Sequence, residues 1–205
     1  MRRSLLLTTA LALSLAGCGG SDPEPGGEPT VAATTAVEAG TDPGTELAFG
    51  EPATLVWKPS SEVTGELELS VDAVAEQRPS VFDGWSRDEA MAAARPYFVT
   101  VSLTNAGESD LGGQVVPVYL RDDRGTLGAP WTLGGDFTAC QSGPLPTPFG
   151  PGQSAELCLV YLAPDGSRVE DMVFEPTEGY DPISWSGDVG RPGKPKPGGR
   201  TGKRG

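Results

Sequence analysis

Tyr97-Phe98-Val99-Thr100-Val101-Ser102-Leu103-Thr104-Asn105-Ala106-Gly107 decides the fold class. Tyr97, Val99, Val101 and Leu103 alternate with Thr100, Ser102 and Thr104, which puts apolar side chains on one face of a strand and hydroxyls on the other. Asn105-Ala106-Gly107 then closes the strand with turn chemistry. Upstream, Glu66-Leu67-Glu68-Leu69-Ser70-Val71-Asp72-Ala73 repeats the pattern, with Leu67, Leu69, Val71 and Ala73 assigned to one face. Downstream, Val115–Leu120 reads as a third strand, held to an edge or a bulge because Pro117 has no N–H to donate. Asp122-Asp123-Arg124-Gly125 turns the chain. Ala155–Leu162 is apolar on both faces and predicts a central strand. Val169–Phe174 follows the turn Pro164-Asp165-Gly166, Ile183–Trp185 ends the series and Thr54–Trp57 opens it.

One segment, Arg87–Arg95, predicts a helix: strong helix formers, acids in the first turn, Arg at the end and Pro96 as a stop. At two turns it is a connector. Short strands with frequent turn signals point to an all-β fold, a two-sheet antiparallel sandwich of immunoglobulin type, with an open barrel as the alternative.

Composition sets the limits of that domain. All 14 aromatic residues fall between Phe49 and Trp185. Residues 18–52 and 187–205 are rich in Gly, Pro and small polar residues, so they read as a disordered stalk and a disordered tail around a domain at 53–186. Charge is segregated as well. Residues 18–190 carry 7 basic and 28 acidic groups, whereas residues 191–205 carry six basic groups and no acid. An acidic body repels polyanions, which argues against nucleic-acid binding by the folded part. The tail Arg191-Pro192-Gly193-Lys194-Pro195-Lys196-Pro197 is instead suited to anionic lipid or wall polymer, or to a loose association with the acidic body.

Residues 1–17 read as a targeting segment. Arg2 and Arg3 precede the apolar run Leu5–Leu15, too short for a spanning helix, which needs about 20 residues. Arg2-Arg3-Ser4-Leu5-Leu6 leaves open whether export follows the general or the twin-arginine route. Leu15-Ala16-Gly17-Cys18 resembles the lipobox of bacterial lipoproteins. The resemblance implies cleavage before Cys18, a diacylglycerol on its thiol, and a protein lipid-anchored on the extracytoplasmic face of the cell membrane. With Cys18 so used, Cys140 and Cys158 remain as an even pair in an oxidising compartment and are expected to be bridged.

Together with this leader and the acidic stalk, the strand Tyr97–Thr104 ending in Asn105-Ala106-Gly107, followed by a Gly/Pro-rich loop, resembles the immunoglobulin-like domain of unknown function found in lipoproteins of Gram-positive bacteria, especially actinobacteria. The resemblance spans residues 95–176. It implies a fold and a location, and it carries over no catalytic residue.

The chain has no His, which removes the commonest general base and metal ligand. No phosphate loop or calcium-loop motif is present; Asp122-Asp123 before Gly125 reads as a polar turn. No catalytic residue, metal site or cofactor is assigned. Trp85, Trp131, Phe137 and Phe149 lie in loop-like sequence and are candidate partner-binding residues, unless they fold inward over the edge of the core. The expected function is therefore a non-enzymatic, membrane-anchored module facing an envelope protein, a wall polymer or a small ligand. The alternative is a carboxylate-based hydrolase of wall glycans, which needs two acids facing across a cleft.

Overall fold

A computed structural model describes residues 40–85, 89–133 and 137–191. The chain forms two facing sheets. One holds β2 (Pro52–Trp57), β3 (Gly65–Glu76), β4 (Arg95–Asn105) and β7 (Ser154–Ala163), in that spatial order. The other runs β1 (Glu46–Ala48), β9 (Ile183–Ser186), β8 (Val169–Phe174), β5 (Tyr119–Asp122) and β6 (Leu127–Gly128). Every pairing is antiparallel except that of β1 with β9. The expected all-β sandwich is thus what the chain forms. Its β2-β3-β4 meander keeps three consecutive strands side by side in one sheet, which the immunoglobulin order, ABED on CFG, does not.

The alternating strands supply the core. Leu55, Leu67, Leu69, Tyr97, Val99, Val101, Leu159 and Tyr161 of the four-stranded sheet meet Leu120, Met172, Phe174, Ile183 and Trp185 of the other, all at most 1% exposed. Three polar side chains pin the layers together. Tyr161 Oη donates to Val118 O at 2.8 Å, Val169 N–H donates to Tyr97 Oη at 3.2 Å, and Trp185 Nε1–H donates to Glu51 O at 2.9 Å. Burial raises the Tyr161 hydroxyl far above its ordinary pKa, so it acts only as a neutral pin.

Several expectations change in the fold. Ala73 does not share the face of Val71, because a bulge at Asp72 shifts the register between Val71 and Ala73 and turns Val74 inward in its place. The bulged carboxylate accepts from Ser70 Oγ and Ser102 Oγ, both at 2.6 Å. Of the third expected strand, Val115–Leu120, only Tyr119 and Leu120 enter a ladder, as the first half of β5; Val116 and Val118 are buried, but the stretch around Pro117 stays irregular. The described helix, α1, covers Glu89–Ala93. Arg95 and Pro96, read as its end and stop, already lie in β4, where backbone pairing with Ala163 and Leu162 claims them. The folded unit also exceeds the expected limits of 53–186. β1 pairs with β9, Thr41 N–H donates to Thr54 O, and Gly190 bonds to both Val74 and Glu76. Residues 1–39 and 192–205, including Cys18 and most of the expected stalk and tail, lie outside the described residues, as do Arg87 and Asp88 of the expected helix.

The stretch Ala155–Leu162, expected at a sheet centre, is the edge strand β7. Its apolar character on both faces has another cause. Leu159 and Tyr161 face the main core, while Val160 and Leu162 face a second cluster with Phe82, Met91, Ala94 and Phe137. The Cys140–Cys158 disulfide, with Cα atoms 5.3 Å apart, clamps the 131–145 loop over this cluster. Closing 18 residues should contribute about 3 kcal/mol through the unfolded state. The Cys140→Ala/Cys158→Ala double variant is accordingly expected to melt about 10 °C lower in a thermal scan. An unchanged melting temperature would show that the bridge is dispensable.

Candidate interaction surface

The four loop aromatics separate into three environments and do not form one exposed platform. Phe149 is 2% exposed and belongs to the main core. Its backbone is gripped on both sides: Phe149 N–H donates to Asp110 Oδ1 at 2.9 Å, and Phe149 O accepts from Asn105 Nδ2 at 2.8 Å and Leu111 N–H at 3.0 Å. Phe137, 5% exposed, is the hub of the second cluster. Its ring centroid lies 5.4 Å from Phe82, 5.4 Å from Trp85 and 6.0 Å from Phe98, edge-on to the last two. Trp85 is partly buried against that cluster. These rings face inward because loops of this length bury aromatic area over the core edge where they can.

Trp131 alone of the four is an exposed large side chain, at 41%. Its backbone is nonetheless fixed. Trp131 N–H donates to Val160 O at 2.7 Å, and Trp131 O accepts from Ser142 Oγ at 2.5 Å. Ser142 Oγ in turn accepts from Val160 N–H at 2.9 Å, so one buried hydroxyl completes the cover over the β7 edge. Nothing in the sequence around Ser142 marks this role, since it depends on two backbones meeting across the loop. The result is an indole held outward on a rigid support.

Ala129 and Pro130, immediately before Trp131, wall one side of a notch of about 260 Å³. Trp57, Pro59, Val115, Pro117 and Tyr119 supply most of the rest. Val115 at 55% and Leu127 at 39% are exposed in the same part of the chain. The irregular 115–118 stretch creates this surface: Pro117 keeps its segment out of the ladder, and Val115 is left facing solvent. Prolines and aromatics present apolar area with little side-chain entropy to lose on contact.

The described carboxyl groups with displaced affinities are structural. Backbone N–H groups of Gly112 and Phe149 hold Asp110 below the usual carboxylate range. Burial pushes Asp122 up, but Ser167 Oγ at 2.7 Å and the N–H groups of Thr126 and Arg124 at 2.7 and 3.0 Å outweigh it, leaving the group lowered. Asp122 thus organises the turn its sequence suggested. Among the described residues, no group of three or more Cys, Asp or Glu is placed to hold a metal ion, and no helix is long and apolar enough to cross a membrane.

No family model, curated protein or solved structure matches the chain.

Proposed function

We propose that this protein is an envelope lipoprotein, anchored outside the cell membrane through Cys18, whose sandwich binds a protein partner at the notch beside Trp131 without carrying out a reaction. The observation that carries the binding reading is the exposed indole on a hydrogen-bonded support next to the notch. The leader Arg2–Cys18 and the Cys140–Cys158 bridge, which suits an oxidising compartment, support the location. The basic residues of the tail add attraction to an anionic wall polymer or lipid.

Two measurements test this reading. Intact mass of the protein extracted from membranes is expected to show a diacylglycerol on Cys18, and an unmodified, freely secreted form would overturn the anchor. A photo-crosslinking residue placed at Val115 in intact cells is expected to capture one protein reproducibly, with capture falling at least about tenfold in Trp131→Ala, as for an aromatic hot spot. Because Trp131 lies outside both apolar clusters, the variant should keep the wild-type melting temperature. Capture that ignores Trp131 would overturn the site.

A further inference from the structure

A sheet leaves backbone N–H and C=O groups unpaired along each edge strand, and folded proteins close or shorten those edges. The edges here are β1, β2, β6 and β7. In β1, Ala48 N–H donates to Glu51 Oε2 at 2.6 Å. In β2, Thr54 O accepts from Thr41 N–H and Thr54 N–H donates to Thr41 Oγ1, both at 2.8 Å. β6 is only two residues long.

The outward groups of β7 follow from Val160. Its C=O accepts from Trp131 N–H and its N–H donates to Ser142 Oγ, so Val160 turns its backbone away from β4. Pairing with β4 is unbroken from Arg95 with Ala163 to Thr104 with Ser154, and residues of an antiparallel pair alternate between facing the partner strand and facing away. Ser154, Glu156 and Cys158 therefore face away as well, and no described group bonds to their outward N–H and C=O groups. The 131–145 loop ties off one half of the β7 edge and leaves the other half open. Ser154 and Glu156 are exposed there, and Ser154–Cys158 contains no Pro, Lys or bulge to guard the edge.

The neighbouring side chains define what fits. Ala155 and Leu157 pack against the main core but stay partly exposed, so they offer apolar area to inward-facing residues of an added strand. Glu156, on the opposite face, pairs with no described cation. It lines a depression of about 390 Å³ with Thr100, Thr138, Gln141 and Cys158, room for a long cationic side chain beside the carboxylate. A second copy of this chain does not suit the edge. Pairing centred on residue 156 would set two Glu156 carboxylates opposite each other, between bodies of the same acidic sign.

We propose that the Ser154–Cys158 edge of β7 is a second docking site, which takes an extended basic segment of a partner protein as a further strand of the four-stranded sheet. The segment places apolar residues beside Ala155 and Leu157 and a Lys or Arg beside Glu156. Its backbone hydrogen bonds supply affinity, and the alternating side chains supply selectivity. Neither the anchor at Cys18 nor the notch at Trp131 is needed for it.

The test uses a capped nine-residue peptide alternating lysine and valine, added to the full chain and followed by amide hydrogen exchange with NMR detection. Exchange at the Glu156 and Cys158 amides, fast in the free protein, is expected to slow at least about tenfold when the peptide saturates. The same peptide N-methylated throughout keeps its charge but cannot join a ladder, and should give no protection. Glu156→Gln should weaken binding about threefold, the scale of one cross-strand charge pair. Glu156→Pro removes an outward N–H that β4 does not use, so it should abolish the protection at Cys158. Equal protection by the N-methylated peptide would reduce the contact to general charge attraction and overturn the proposal. So would protection confined to other amides, none at about 1 mM peptide, or Glu156 and Cys158 amides already protected in a dimer of the free protein.

Discussion

Phe149→Ala is expected to destabilise the domain by about 4 kcal/mol, the range for deleting a large aromatic from a packed core. For a domain of this size that is a fall of about 10 °C or more in melting temperature. The ring is buried in the main core, and the backbone that carries it is held by Asp110, Asn105 and Leu111. The surrounding loop therefore has little freedom to collapse into the space left behind, which places the cost toward the upper end. Phe149→Leu keeps most of the volume and should cost under about half as much. Urea denaturation of both variants checks the order. A Phe149→Ala domain as stable as wild type would mean that the 145–150 segment is not packed as described.

Asn105→Ala should cost about 3 kcal/mol for a different reason. Asn105 is fully buried; its Nδ2 donates to Ser109 O and Phe149 O, both at 2.8 Å, and its Oδ1 accepts from Gly107 N–H at 3.1 Å. Truncation removes three hydrogen bonds and strands backbone groups away from water, at about 1–3 kcal/mol for each one left unsatisfied. Asn105→Asp separates this account from simple loss of packing, because it keeps the shape but replaces the Nδ2 donor facing two carbonyl oxygens with a carboxyl oxygen. The new carboxyl would have a folded pKa raised above its unfolded value of about 3.9. Its ionised form is the costly one, so the variant should approach wild type below about pH 4 and fall behind it as pH rises toward 7. Urea midpoints of Asn105→Asp and wild type, compared at pH 4 and pH 7, check this, and a gap independent of pH would sink it.

These two residues show how far the sequence can be read. Asn105 is visible as the end of a strand because Asn before Gly is turn chemistry, and the turn is there: Gly107 N–H returns to the Asn105 side chain. What the sequence does not show is that the same amide reaches across 44 positions to hold Phe149. Phe149 therefore reads as a loop aromatic open to partners, although it belongs to the core. Trp131 reads the same way and is exposed, because its loop is tied along the β7 edge through Ser142 while the other rings fill the spaces beneath. Each of the four loop aromatics has Gly or Pro within two residues, so local composition does not tell them apart. The partner each meets is set by distant chain segments.

The sequence by itself determined the strand class, since a period of two forces one apolar face whatever the neighbours are. It also determined the confinement of aromatics to one domain, the opposition of charge between body and tail, and the even cysteine pair that forms the Cys140–Cys158 bridge. Only the tertiary structure decided the order of strands, the bulge that exchanges Ala73 for Val74, the edge position of β7 and which aromatic remains in solvent. Periodicity acts between neighbours in sequence and is written in every strand. Strand order and loop burial follow from contacts between segments far apart in the chain, and no local pattern encodes those.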